Sequence, residues 1–326
     1  MRKIFAAVVF TSACALASGT VVAGPAQYFP STAYVALQGS DSVESLPGGV
    51  TWGKLDSAHY VAVSLDGTKL LVSSAATENA YVVDAKTGKA LATIAVGTVP
   101  QGVAIGPHGR YGLALSAGTD SVTVIDMRTL KKIKTIKVGK TPHNARFTAD
   151  GKRAYITLQG GTGVAVLDMH SLAKVDEIPV PGVHGPHNLD LSANGRVLWV
   201  RDLTGSVAAV DLKTRKELAV IPVGPGHAGI DVVPAGRYVF TGGIAGHVVD
   251  VIDPATFKVV KQIAVGQGPH GVRASADGRW VYAAVTATKR SRSSMRIRSR
   301  SSGRSTCTAN CRSGSPCAAM TENLVS

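Results

Sequence analysis

The sequence predicts an all-β fold assembled from one repeated unit, and three observations predict it. A turn glycine recurs at Gly67, Gly109, Gly151, Gly195, Gly236 and Gly278, at spacings of 41 to 44 residues. An aspartate closing an apolar stretch recurs at Asp84, Asp126, Asp168, Asp211 and Asp253, 16 or 17 residues after the glycine, so two independent markers hold one register. The composition agrees. Of 326 residues 45% are hydrophobic, only 5% are aromatic, and 36 are glycine. That excludes a disordered chain, and the lack of a sustained 3.6-residue period argues against a large helical domain.

Each unit reads as four short strands: one before the glycine turn, one after it, one ending in the aspartate, and one running into a Val-Gly or Val-Pro corner. The unit at 102–139 shows the pattern: Gly102-Val103-Ala104-Ile105, the turn at His108-Gly109, Gly112-Leu113-Ala114-Leu115, Val122-Thr123-Val124-Ile125-Asp126, then Lys132-Ile133-Lys134-Thr135-Ile136-Lys137. Alternating Lys with Ile marks the last strand as wet on one side, hence the outer edge. Four antiparallel strands per unit of about 40 residues match a β-propeller blade, where one face of each small sheet packs on the next and radial repetition protects the edges.

In Ala154-Tyr155-Ile156-Thr157, Val122-Thr123-Val124-Ile125-Asp126, Ala149-Asp150-Gly151 and Val265-Gly266-Gln267-Gly268-Pro269 the chain resembles the YVTN family of β-propeller repeat proteins over about residues 30–288. Residues 59–269 supply five whole blades and 270–288 begin another. Tyr34-Val35-Ala36-Leu37 to Lys54-Leu55 looks like strands two to four of a blade lacking its first strand. The resemblance implies a ring of seven blades, closed by joining this segment to a C-terminal strand, with six blades as the alternative. Functions on such a fold are diverse, so the fold alone assigns none.

The domain reading is an export signal at 1–23, the propeller at 24–288 and an Arg/Ser-rich tail at 289–326. Arg2-Lys3, an apolar run from Ile4 to Leu16, and the small residues Val21-Val22-Ala23 form the signal. The run is shorter than the roughly 20 residues a membrane helix needs, so the expectation is a soluble, monomeric protein of the periplasm with no membrane span. The lipid-anchor alternative at Cys14 lacks the usual Leu three residues ahead, since Thr11 stands there. No cysteine lies between Cys14 and Cys307, so the body has neither disulfides nor thiolate metal sites.

The formal charge of +14 is concentrated at the ends. Lys289 and seven arginines of the tail, with Arg2 and Lys3, account for most of it and leave the body near +5. No nucleic-acid partner is expected on that ground. The tail itself reads as disordered, and as a frameshift product. With Ser as TCN and Arg as CGN, the frame one base earlier turns Ser291-Arg292-Ser293-Ser294 into an apolar-small-apolar-apolar segment and permits Asp at the slot of Met295. That slot lies 17 residues after Gly278, where a blade expects its aspartate. Closure of the ring is expected to be impaired accordingly.

Eight residues before each turn glycine stand His59, Gln101, His143, His187 and His270, with His227 displaced by one. This corner joins the outer strand of one blade to the inner strand of the next, so pseudo-symmetry should gather these side chains round one mouth of the central channel. Neutral imidazoles suit copper, zinc, iron or nickel. His59, His143, His187, His227 and His270 are therefore candidate ligands of a transition metal or haem; distantly similar propellers, in nitrous oxide reductase and periplasmic nitrite reductase, hold copper and haem with histidines. The plainer alternative is a repeated residue that bonds a loop carbonyl in each blade. His108, His170, His184 and His247 fall off this register, although His184 is near enough to His187 to join a site.

A second candidate ring comes from the inner strands. Asn144, Arg146, Asn188, Asp190, Asp231 and Arg273 alternate with apolar residues and should face the channel, to bind a small polar or anionic ligand or to pair between blades. Asp66, Asp150 and Asp277 fit turn chemistry. A Gly-x-Ser-x-Gly elbow, a phosphate loop, His-Glu-x-x-His and Cys-x-x-Cys-His are all missing from the sequence. The functional expectation is thus a non-catalytic binding scaffold for a periplasmic protein or small ligand, with a metal- or haem-binding, redox-associated protein as the alternative.

Overall fold

A computed structural model describes residues 32–46, 49–234 and 236–286, together with short strands at 7–8, 295–299 and 320–322. The described strands form seven four-stranded sheets. Five are contiguous in sequence. Blade 2 comprises Ala58–Val63, Lys69–Ser74, Asn79–Asp84 and Ala90–Ala95. Blade 3 comprises Pro100–Ile105, Tyr111–Ser116, Ser121–Asp126 and Lys131–Lys137. Blade 4 comprises Pro142–Phe147, Arg153–Leu158, Gly163–Asp168 and Ala173–Pro179. Blade 5 comprises Asn188–Leu191, Val197–Arg201, Ser206–Asp211 and Glu217–Pro222. Blade 6 comprises Ile230–Val232, Val239–Gly243, Val248–Asp253 and Lys258–Ala264. The chain is a β-propeller.

The other two sheets are composite. Blade 1 holds Ala33–Leu37, Ser42–Leu46 and Val50–Trp52, with Met320–Glu322 antiparallel to the first of them. Blade 7 holds Pro269–Ala274 and Trp280–Val285, then Met295–Ser299, and Ala7–Val8 in parallel at its edge. The first strands of successive blades are neighbours round the axis, and Met320–Glu322 takes its place between Pro269–Ala274 and Ala58–Val63. Closure is thin: the closing strand is three residues long where blades 2 to 4 use six, and the edge strand of blade 7 has two. The rest of 1–31 and most of 287–326 lie outside the described residues, as do the export-signal and tail-disorder expectations that fall on them.

Burial explains the order of strands. The second and third strands are apolar on both faces because each blade is sandwiched between two others. Leu113, Leu115, Val122 and Val124 of blade 3 pack on Ile156, Leu158, Ala165 and Leu167 of blade 4. The opposite face of blade 4, with Tyr155, Val164 and Val166, packs on Leu198, Val200, Ala208 and Val210 of blade 5. Fully burying one such aliphatic side chain contributes about 1.5–3 kcal/mol. The outer strand is wetter than its alternation suggested: in blade 3 both faces are exposed from Lys131 to Thr135, and only Ile136 is buried. The neighbouring blades diverge too far from the axis to cover Ile133.

The repeat markers turn out to be turn chemistry. Asp126 accepts the backbone N–H groups of Arg128 and Thr129, and Asp84, Asp168 and Asp211 hold the same turn in their blades. Gly67, Gly109, Gly151, Gly195, Gly236 and Gly278 all take the left-handed conformation, φ 63–68°, which only glycine adopts without cost.

If the tail strands support the ring, a chain ending at residue 286 melts about 5 °C or more lower and aggregates at its opened blade 1 edge. Thermal unfolding with light scattering checks this. An unchanged midpoint would mean that the tail contributes nothing to closure.

Candidate functional site

The corner before each inner strand sets the site. Ser57, Val99, Thr141, Gly185, Gly226 and Gly268 all have φ between 49° and 81°. Each stands one or two residues before the histidine register. For Val99 and Thr141, β-branched residues, this conformation is strained by about 1–3 kcal/mol. Hydrogen bonds from the end of the second strand hold it: Ala75, Ala117, Gln159 and Thr286 donate to the carbonyls of Ser57, Val99, Thr141 and Gly268 at 2.8–2.9 Å. The next residues then enter the inner strand aimed at the axis.

The rings meet there. His143 and His187 lie 3.8 Å apart between centroids, His187 and His227 4.6 Å, and His227 and His270 5.0 Å. His187, His227 and His270 each offer a ring nitrogen within 4.8 Å of the others'. His187 is 3% exposed, and among the described residues neither of its ring nitrogens has a hydrogen-bond partner. Leaving a buried polar group unsatisfied costs about 1–3 kcal/mol, so this is the atom pair at the mouth that most needs explaining.

The other two candidates are differently placed. His143 donates from Nδ1 to the His187 carbonyl at 2.8 Å. A carbonyl can only accept, so the proton is on Nδ1 and the lone pair on Nε2. That bond is of the kind expected of a repeated histidine bonding a loop carbonyl. His59 is held between Gln38, at 3.3 Å from Nδ1, and Gln101, at 3.0 Å from Nε2. Gln101 thus uses the register position of its own blade to anchor the histidine of the previous one. His184 is tied through its backbone to Asp202 and Leu203, and His108 and His170 sit at exposed turns. His247 accepts the Gly268 N–H at its Nδ1, which supports the corner that precedes His270.

Burial keeps these imidazoles neutral. Desolvation, with the neighbouring His227, lowers His59 to about 4; desolvation, with His59 close by, lowers His143 to about 3. His187 is pushed well below the ordinary value by burial and then by His143, His227, His270 and Arg201, and His227 is lowered by burial and by Arg201. Their lone pairs are available at neutral pH.

Deeper in the channel the second ring forms a chain of inter-blade bonds. Arg146 donates from Nε to Asp190 at 3.2 Å and lies 3.7 Å from Asp231, which Arg273 contacts at 2.6 Å. The remaining carboxylate oxygens accept the N–H groups of Val232, at 2.7 Å from Asp190, and Ala274, at 2.6 Å from Asp231. Asn144 donates to Asn188, and Asn188 to the Ala228 carbonyl at 3.1 Å. Blades 4, 5, 6 and 7 are thereby linked in order. Tyr60, Asn144, Arg146, Asn188, His270 and Arg273 line a small cavity of about 30 Å³ that opens to solvent. Both rings therefore meet in one channel, with ion pairs below and imidazoles at the mouth.

Two contributors had no sequence signal of their own: Gln38, from the first blade, and Tyr60, next to a register histidine. Arg201 had one. It stands where other blades carry Ser73, Leu115, Thr157 and Gly242, a charge inside an apolar strand. It is fully buried, pairs with Asp202 at 3.1 Å and donates to the carbonyls of Gly224 and Gly226. Its own carbonyl accepts the His187 N–H at 2.8 Å. One residue thus fixes the backbone on both sides of the His187–His227 contact.

Comparisons with known proteins agree on architecture. The family model described as YNCE-like beta-propeller matches residues 196–279. Among solved structures the chain is similar to dihydro-heme d1 dehydrogenase NirN in complex with DHE, with a TM-score of 0.62 and 16% identity over 90% of this chain and 75% of that one. It is also similar to hydrazine synthase of Kuenenia stuttgartiensis, with a TM-score of 0.54 and 21% identity over 74% of this chain and 96% of that one. No curated protein matches it. The class is a β-propeller repeat protein whose structural neighbours are haem- or enzyme-related propellers. Among the described residues no helix is long and apolar enough to cross a membrane.

The depressed histidines set a pH dependence. Unfolded histidines bind protons below about pH 6.5, whereas His59 and His143 in the fold do so only near 4 and 3. The unfolded state therefore binds more protons in between, and stability falls as pH drops from about 6.5 toward 4. Glu44 and Asp231, raised by burial, act in the opposite sense. The clean readout is a difference: His143→Asn flattens the slope of stability against pH between 6 and 4.5 by up to about 1.4 kcal/mol per unit. Denaturant unfolding at several pH values checks it; identical slopes would place His143 in water.

Proposed function

We propose that this chain is an exported, monomeric binding propeller of the periplasm, of YVTN type, and that the ligand held at its channel mouth is a transition-metal ion. The observation that carries the reading is His187: a side chain almost wholly withdrawn from water, with both nitrogens unpartnered among the described residues, facing two further imidazoles. A metal ion satisfies such a nitrogen where no protein donor does.

A bare ion fits better than haem. The His187–His227 and His227–His270 ring centroids, 4.6 and 5.0 Å apart, leave no gap for a macrocycle between those neighbouring rings, while the ring nitrogens of all three lie within 4.8 Å of one another, close enough to share one ion. The haem named for one structural neighbour belongs to that protein. His187, His227 and His270 would be the ligands, His143 a packing neighbour of His187, and His59 a structural member. The ion would supply Lewis acidity or an electron-transfer centre. The chain's own residues would keep the His187 and His227 imidazoles neutral and hold them in position.

A second reading, a small polar ligand in the channel with no metal, is favoured by the cavity lined by Asn144, Arg146, Asn188 and Arg273. Elemental analysis and absorption spectroscopy of protein purified from its own periplasm separate the two. The metal reading expects about one transition metal per chain, no Soret band, and loss of the metal in His187→Ala. Metal-free protein that folds normally would leave the channel-ligand scaffold.

A further inference from the structure

The outer strand of blade 3 carries a positive charge that the outer strands of the other contiguous blades do not match. Arg128, Lys131, Lys132, Lys134, Lys137 and Lys140 fall within thirteen residues, and no acid stands between Asp126 and Asp150. All six are exposed, and among the described residues none is in an ion pair. Together they exceed the body's net charge of near +5, so the remainder of the body is close to neutral. Lysine on an open edge guards against aggregation, but the neighbouring blades do without such a guard. The outer strand of blade 2, Ala90–Ala95, has no charged residue, and that of blade 5, Glu217–Pro222, has one acid. Blade 4 sets Lys174 against Asp176 and Glu177, and blade 6 has Lys258 and Lys261.

Register spreads the charge of blade 3 over both faces of its edge. Lys131 and Lys134 pair with Asp126 and Val124, on the face toward blade 4, and Lys132 and Lys137 with Ile125 and Ser121, on the face toward blade 2. Between the two rows the backbone is open, because this strand is the last in its sheet. Ile133, the bulged residue, is 45% exposed beside it. An extended segment laid along the edge would hydrogen-bond to that backbone and carry its side chains alternately over both rows, at cross-strand distances of about 4.5–5.5 Å. Acidic side chains suit both rows. A flat anionic lipid surface has no backbone groups to offer the edge.

We propose that the outer edge of blade 3 docks an extended acidic segment of a partner protein, which adds to the four-stranded sheet as a further strand. The channel mouth takes no part, so this stands independently of the metal reading.

The test uses the full chain and a fluorescein-labelled peptide of alternating glutamate and threonine. A peptide of equal charge with proline in place of threonine is the control, since proline has no N–H to donate. The expected result is that the threonine peptide binds, slows hydrogen exchange of amides within 131–137, and binds about tenfold more tightly than the proline peptide. Lys132→Glu with Lys134→Glu, both at exposed positions, should weaken it about tenfold or more with an unchanged circular dichroism spectrum. A proline peptide or an oligonucleotide bound as tightly, or displacement of the threonine peptide by phosphatidylglycerol vesicles, would overturn strand addition and leave a general polyanion patch. No binding even at low salt, where surface charge is least screened, would overturn the site altogether.

Discussion

Seven inner strands must share one axis, and the lack of room there governs the rest of the molecule. At Gly102 an added methyl group would come within 2.4 Å of the His143 carbonyl, and at Gly229 within 2.7 Å of the Val272 backbone nitrogen. Backbones that approach this closely exclude water and bring side chains from different blades into direct contact. The Gly229 N–H reaches the His270 carbonyl at 2.6 Å, and His143 reaches that of His187 at 2.8 Å. Polar groups at the axis must therefore satisfy one another across blade boundaries or be left without partners.

Most do satisfy one another. Asp190 and Asp231 each combine an arginine with a backbone N–H of the next blade, a geometry in which all four carboxylate oxygens are used. Breaking a buried pair of this kind typically costs about 3–5 kcal/mol, which is why such a chain acts as a belt for the ring. His59 is satisfied by two glutamines from the flanking blades. His187 is the member of the register to which the described structure gives no hydrogen-bonding partner for either ring nitrogen. The functional reading follows from that contrast within a single repeat: equivalent positions, one group of them accounted for by structure, one left over.

The sequence made the blades legible because their period is enforced by turns. An αL glycine and an aspartate that caps a turn tolerate few replacements, so Gly109 and Asp126 stay visible through blades that otherwise differ. The histidine register was legible for the same reason, since it lies at a fixed distance from the glycine. What the sequence left open was which histidines face each other and which are tied up. That depends on partners 20 to 44 residues away, such as Gln38 with His59 and the His187 carbonyl with His143, and on no local pattern. The second ring was legible as polar alternation, but whether it binds a ligand or pairs with itself was not, because Arg146 and Asp190 are neighbours only once the blades are stacked. Outer-strand exposure was misjudged at Ile133 because a spoke-like arrangement opens with distance from the axis, something a flat two-sided sheet would not do.

The central claim is that radial symmetry brings imidazoles some 40 residues apart in the chain into mutual contact, with the buried His143 and His187 held neutral. Nuclear magnetic resonance of the metal-free protein with labelled histidine tests this most directly. The account predicts nuclear Overhauser contacts linking the rings of His143 to His187, His187 to His227 and His227 to His270, with nitrogen shifts of neutral imidazole persisting to pH 5 for His187 and for His143, the latter protonated at Nδ1. Rings that show no contact with one another, with His143 and His187 titrating near pH 6.5, would contradict it.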